Sequence, residues 1–267
     1  MPSSIRVSDV TVTYPLARTG KHLVALWRFS LDVKAGEFVT VVGPSGCGKT
    51  SLLNSIAGLV RPTEGTILVD DQRVVGPGPD RAVVFQDYAL FPWRSVHDNI
   101  RFGLESDPRV RREADERIAA AVDLVGLRGF EDAYPHQLSG GMQQRVGLAR
   151  ALVVQPKILL MDEPFAAVDA MTREVMQTEL ERIVASTGTT AILITHSIDE
   201  AVLLGDRVVV ATTRPGRVKA VLPVPIPRPR RGQDVKGMPL FIQIREQIWD
   251  LLQNDVLDHI TGAAPES

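Results

Sequence analysis

Four short runs along the chain are almost wholly apolar: Phe38 to Val42, Ala82 to Gln86, Ile158 to Met161 and Thr190 to Thr195. Runs of this length without polar alternation are expected of parallel strands covered on both faces, and they predict a central sheet. From about Val10 to Leu222 such runs alternate with helical periodicity, which predicts an α/β fold. The segment ahead of Phe38 reads as more purely β. Between Asp107 and Leu127 the pair Asp107-Pro108 reads as a helix N-cap and first-turn proline, and Ile118, Val122 and Val125 follow at helical spacing. A helical insert, about 88–152, is therefore expected. Phe241, Ile244, Ile248, Leu251 and Leu252 mark one face of a C-terminal helix that should dock on the parent domain.

Composition changes this picture little. In 267 residues, 44% are hydrophobic and 23% charged, as in ordinary globular proteins. Thirty basic residues against thirty-two acidic ones leave a net charge of -2, which offers no global attraction to nucleic acid or anionic lipid. No apolar stretch approaches the ~20 residues of a bilayer-spanning helix, and the first residues lack the pattern of a secretory signal. A cytoplasmic location is expected. The only cysteine, Cys47, has no internal disulfide partner and reads as a small residue fitted to a tight loop. Six prolines between Pro215 and Pro239 argue against regular helix there and predict a connector or sheet edge. The expected division is 1–222 for the main domain and 223–267 for a proline-rich connector and helix. Seven basic residues against one acidic between Arg214 and Lys236 read as a solvated face.

Candidate chemistry begins where the strand Phe38 to Val42 runs into Gly43-Pro44-Ser45-Gly46-Cys47-Gly48-Lys49-Thr50-Ser51, followed by the helical pattern of Leu52, Leu53, Ile56 and Ala57. Strand, glycine-rich loop and helix in this order make a phosphate cradle: glycines let backbone N–H groups point inward, and the helix start adds its positive end. Lys49 is then placed for the β- and γ-phosphates and the Thr50 hydroxyl for Mg²⁺.

A P-loop alone leaves several enzyme classes open. The run Ile158 to Met161 ends in Asp162-Glu163-Pro164, which puts two carboxylates at the C-terminal mouth of a buried parallel strand. Asp162 suits the Mg²⁺ water shell, and Glu163 suits the attacking water. Leu138-Ser139-Gly140-Gly141-Met142 opens another helix, so Ser139, Gly140 and Gly141 form a second anion-binding helix start. One nucleotide has little use for two such ends in one domain. Two copies facing head to tail would each lend this element to the other's ATP.

GPSGCGKT, LSGGM, LLMDEP, AAVD and LITH, in this order and spacing, resemble the Walker A, signature, Walker B, D-loop and H-loop of ABC transporter ATPases. The resemblance implies a P-loop NTPase core with an N-terminal antiparallel β subdomain, a helical insert and a short C-terminal extension. It implies ATP and Mg²⁺ as ligands, Gln86 as the Q-loop glutamine at the metal and γ-phosphate, His196 as the switch histidine and Asp169 as the D-loop aspartate. Tyr14 is the candidate for stacking on adenine. The D-loop departs from the commoner pattern at Val168, and Met142 stands where glutamine is commoner.

Asp87-Tyr88-Ala89-Leu90-Phe91-Pro92-Trp93, with Arg214-Pro215-Gly216-Arg217 and Pro227-Arg228-Pro229-Arg230, further resembles ATPase subunits of nitrate, taurine and aliphatic-sulfonate importers. That implies a homodimer on the cytoplasmic face of the membrane, transmembrane permease subunits that dock at Phe91 to Val96, and an extracytoplasmic solute-binding protein. Another importer or an exporter subunit is the alternative. Nucleic-acid-acting relatives insert long coiled coils between Q-loop and signature, whereas fifty-two residues separate Gln86 from Ser139 here. No nucleic-acid partner is expected.

Overall fold

The computed structural model describes residues 2–16, 21–105, 112–230 and 235–261, the last eight by their backbone alone. The expected helix start at Asp107-Pro108 lies outside the described residues. Two sheets form the framework. Strands β1 (Ile5–Pro15), β2 (His22–Val33), β4 (Glu64–Val69) and β5 (Gln72–Arg73) pair antiparallel in the order β2-β1-β4-β5. Strands β3 (Phe38–Val42), β6 (Arg81–Val84), β7 (Ile158–Asp162), β8 (Thr190–Ile194), β9 (Arg207–Ala211) and β10 (Val218–Pro223) form a six-stranded sheet in the order β10-β9-β3-β8-β7-β6. Its strands run parallel except β10, which pairs antiparallel with β9 at one edge.

The apolar runs are strands because both their faces are covered. In β7, Ile158 and Leu160 join a core with helix α1 (Lys49–Ala57) and the antiparallel sheet, whereas Leu159 and Met161 face the opposite core. That second core contains Leu148 and Ala151 of α4 (Gly140–Leu152) and Met176, Leu180 and Val184 of α5 (Ala170–Thr187). One strand thus buries side chains at period two on both sides. The strand expected at Ala82 to Gln86 ends at Val84. Phe85 and Gln86 leave the sheet, and Gln86 enters a turn.

A third core joins α2 (Val96–Arg101), α3 (Ala114–Leu124) and α4, with Ile118, Val122 and Val125 buried as the helical spacing requires. At the far end, α6 (Ile198–Leu204) and α7 (Pro239–Thr261) pack over β9, with Phe241, Ile244 and Ile248 buried. Burying each such side chain contributes about 1.5–3 kcal/mol. Pro239 opens α7 instead of blocking it, because a first-turn residue has no intrahelical N–H bond to lose.

The basic run near the C-terminus is only partly a solvated face. Arg230 is 4% exposed and gives its Nε, Nη1 and Nη2 to the carbonyls of Val202, Leu203, Gly205, Val224 and Ile226. Arg228 pairs with Glu181 (2.9 Å) and Asp206 (3.0 Å). The carbonyls at the end of α6 lack helical partners, and Arg230 supplies the missing donors. The two sheets are also tied directly: Arg207 of β9 bonds the Glu37 carboxylate and the Asp32 carbonyl of β2.

Candidate active site

A cavity of about 410 Å³ opens where the antiparallel sheet meets the C-terminal ends of the parallel strands. Its walls include Tyr14, Ser45, Gly46, Gly48, Lys49, Thr50, Ser51, Gln86, Asp162 and Glu163. The glycine-rich loop is built as its sequence requires. Gly46 (φ 76°) and Gly48 (φ 90°) lie in the left-handed region that side chains rarely adopt. A Cβ on Gly48 would sit 2.5 Å from the Ala25 carbonyl. Lys49 reaches back over the loop, its Nζ donating to the carbonyls of Gly43 (2.7 Å) and Pro44 (2.9 Å), with Cys47 Sγ at 3.7 Å. Cys47 is buried, which pushes its thiol up and leaves it a packing residue.

Asp162 ends β7 and is buried. Burial raises its pKa, which the neighbouring Thr50 hydroxyl opposes and the Glu163 and Asp87 carboxylates reinforce. Such an acid, beside a hydroxyl and a glutamine amide on a cavity wall, is a donor set suited to a hard divalent cation. Glu163 has φ 48°, costly for a residue with a Cβ. Its carboxylate Oε2 lies 3.2 Å from Nδ1 of His196. Tyr14, half-buried on β1, donates its hydroxyl to Ser51 Oγ at 3.1 Å.

Not all the candidate residues meet within one chain. Ser139 caps α4 by accepting from Met142 N at 3.3 Å, and Gly140 follows it at the surface. Asp169 caps α5 by accepting from Thr172 N at 3.0 Å. Neither these residues nor Gly141 line the cavity.

The fold also brings in residues that motif reading left aside. Gln144 on α4, 1% exposed, donates Nε2 to the Glu163 carbonyl (2.8 Å) and accepts from Ala167 N (3.1 Å). It shares the i, i+4, i+7 face with Leu148 and Ala151, so a polar residue in an apolar stripe was its signal. Arg150 donates to the carbonyls of Tyr88 (2.9 Å) and Ala89 (2.7 Å), both at positive φ just past Gln86. Buried Glu200 accepts from Thr195 Oγ1 (2.7 Å) and Gln177 Nε2 (3.2 Å), which fixes the turn that carries His196. Arg214, read above as a subfamily mark and as part of a solvated basic run, lines the cavity.

The sequence profile of the ABC transporter family matches residues 26–166, more than half the chain and including the loop, Gln86, the serine-glycine helix start and both acids. This chain belongs to the ABC transporter family. It is an ATP-binding, ATP-hydrolysing transporter subunit. An uncharacterised ABC transporter ATP-binding protein of Methanocaldococcus jannaschii is 49% identical over 257 residues, 96% of this chain and 94% of that one. The nitrate import ATP-binding protein NrtC of Synechococcus elongatus is 46% identical over 252 residues; the match covers 93% of this chain but 38% of that protein. Among solved structures, a dimeric ATP-binding cassette in a post-hydrolysis state, bound to ADP and Pi, superposes with a TM-score of 0.76 at 32% identity. That match covers 82% of this chain and 98% of the cassette. An ABC ATPase fold thus accounts for both sheets and for the helical layer between Gln86 and β7.

Proposed function

We propose that two copies of this chain bind Mg-ATP head to tail and use its hydrolysis to drive import of a small anion, of the nitrate, taurine or alkanesulfonate kind. The observation that carries the reading is the division of the candidate residues. Ser45, Gly46, Gly48 to Ser51, Gln86, Asp162 and Glu163 surround one cavity, whereas Ser139, Gly140, Gly141 and Asp169 stand at helix starts outside it. A facing copy would bring the second set to the first. The dimeric cassette bound to ADP and Pi supports this arrangement.

In this reading Tyr14 packs on the base, and Lys49 with the loop N–H groups binds the phosphates. Thr50, Gln86 and Asp162 would hold Mg²⁺, which supplies charge neutralisation at the β- and γ-phosphates. Glu163 accepts a proton from the attacking water. His196, hydrogen-bonded to Glu163, orients that carboxylate and meets the γ-phosphate.

A groove of about 830 Å³ lies beside the Q-loop, lined by Phe85, Ala89, Phe91, Phe102 and Arg150 among others. It is the seat we assign to a helix from the transmembrane permease subunits, at the cytoplasmic face, with a solute-binding protein outside. No helix among the described residues is long and apolar enough to cross a membrane. The functional body is assigned to 1–222, with its helical insert near 88–152, and the extension to 223–267. Nitrate import by a 46%-identical relative supports the substrate class.

The test is Glu163→Gln. It should bind ATP, accumulate as a dimer on gel filtration and lose turnover; retained hydrolysis rejects Glu163 as the base. Reconstitution with the cognate membrane subunits and binding protein should show ATPase stimulation by nitrate, taurine or an alkanesulfonate. Stimulation by none of them rejects the substrate class.

A further inference from the structure

The hairpin between β9 and β10 is packed against the back of the phosphate loop. Gly216 N donates to Ala25 O (2.9 Å) and Trp27 N donates to Gly216 O (3.0 Å), which stitches the hairpin to β2. A Cβ on Gly216 would fall 1.9 Å from the Cys47 carbonyl, so no other residue allows so close an approach. Within the turn, Thr212 Oγ1 donates to Pro215 O (3.1 Å) and accepts from Arg217 N (3.0 Å). The hairpin is therefore a fixed mount. The two arginines it carries diverge: Arg217 stacks on Trp27, with 5.7 Å between guanidinium carbon and ring centroid, and Arg214 lines the nucleotide cavity.

Arg214 lies directly on the loop. Its Nε donates to Gly46 O at 3.0 Å, and Nη2 lies 2.7 Å from where a Cβ on Gly46 would be. Among the described residues Gly46 O is the one hydrogen-bond partner of the Arg214 side chain, and no carboxylate pairs with it. The arrangement parallels that of Lys49, whose ammonium is anchored on the carbonyls of Gly43 and Pro44. Two cations thus sit on one phosphate loop, one from inside the motif and one from a hairpin more than 160 residues away. A guanidinium has five N–H donors in a fork; one is spent on Gly46, and the others match phosphate oxygens.

We propose that Arg214 is a second phosphate-binding cation of the nucleotide cavity, contacting the polyphosphate of a nucleoside di- or triphosphate. The proposal rests on the nucleotide reading of the cavity given above. A contact to phosphate is indifferent to the base, and this separates it from a role beside Tyr14.

The experiment is a calorimetric titration of the full chain with Mg-ATP, Mg-GTP and Mg-ADP, comparing wild type with Arg214→Gln, Arg214→Ala and Lys49→Ala. Arg214→Gln can still donate to Gly46 but lacks the charge. It should weaken ATP and GTP by the same factor, about tenfold or 1.4 kcal/mol, and leave the nucleotide-free melting temperature unchanged. Weakened ATP with unchanged GTP makes Arg214 a base contact and overturns the proposal, as does a melting temperature that falls with affinity. Wild-type affinity in both Arg214 variants, with Lys49→Ala impaired, removes Arg214 from the site and spares the cavity reading. Wild-type affinity in Lys49→Ala removes the cavity reading itself.

Discussion

Gln144 Nε2 donates to the backbone carbonyl of Glu163 at 2.8 Å. The same amide accepts from Ala167 N at 3.1 Å, so one side chain of the signature helix holds both the acid-bearing turn and the D-loop. Because Gln144 is buried, its removal leaves Ala167 N without a partner and leaves the Glu163 carbonyl only its bond from Ala166 N (3.2 Å). Gln144→Ala should cost about 1–3 kcal/mol of stability. Displacing Glu163 by ~1 Å should also lower kcat about 10²-fold, with ATP affinity held. Steady-state ATPase assays beside a nucleotide titration check both halves.

Gly48→Ala should damage the loop without touching any charged group. At φ 90° the alanine is strained, by about 1–2 kcal/mol, and its Cβ meets the Ala25 carbonyl at 2.5 Å and Leu26 Cδ2 at 2.8 Å. The expected outcome is a lower melting temperature together with lost ATP binding, read by thermal shift with and without Mg-ATP.

Arg150 holds the Q-loop backbone from the far end of α4. Its bonds to Tyr88 O and Ala89 O stabilise two successive residues at φ 56° and 47°. Arg150→Ala should speed amide hydrogen exchange over 86–91 by about tenfold for each 1.4 kcal/mol of clamp lost, while the exchange of β3 and β8 stays unchanged.

Arg230 should matter for stability alone. Burial, followed by the neighbouring Arg228, pulls its pKa down to about 10, so the guanidinium is still charged at neutral pH, where it bonds backbone carbonyls in the field of the Asp206 and Glu181 carboxylates. Arg230→Ala leaves the carbonyls at the end of α6 unsatisfied. A loss of about 1.5–3 kcal/mol in denaturant unfolding is expected, with Mg-ATP affinity unchanged in the remaining folded protein.

Local chemistry explains what the sequence disclosed and what it hid. Phe38 to Val42, Ile158 to Met161 and Thr190 to Ile194 were legible because strands covered on both faces carry their burial in their own composition. The loop was legible because left-handed turns at Gly46 and Gly48 demand glycine. The end of β6 was not, since Phe85 continues its apolar pattern while the backbone turns away and carries Gln86 to the cavity. Arg228 and Arg230 look like solvated charges in sequence. Their partners, Glu181 and the end of α6, lie more than twenty residues away and meet them only through the fold. Arg214 was hidden for the same reason, because its hairpin comes last in the sheet and yet backs the first motif.

The bridge from Arg207 to Glu37 and Asp32 rivets one sheet to the other. Tyr14 sits on the first sheet and the P-loop follows from the second, so the jaws that would grip base and phosphates form one stiff vice. A swing of the kind proposed for ATP binding would then be taken up elsewhere. In the proposed cycle the joints left to turn are those where the helical layer leaves the sheet, at Gln86 and again ahead of β7.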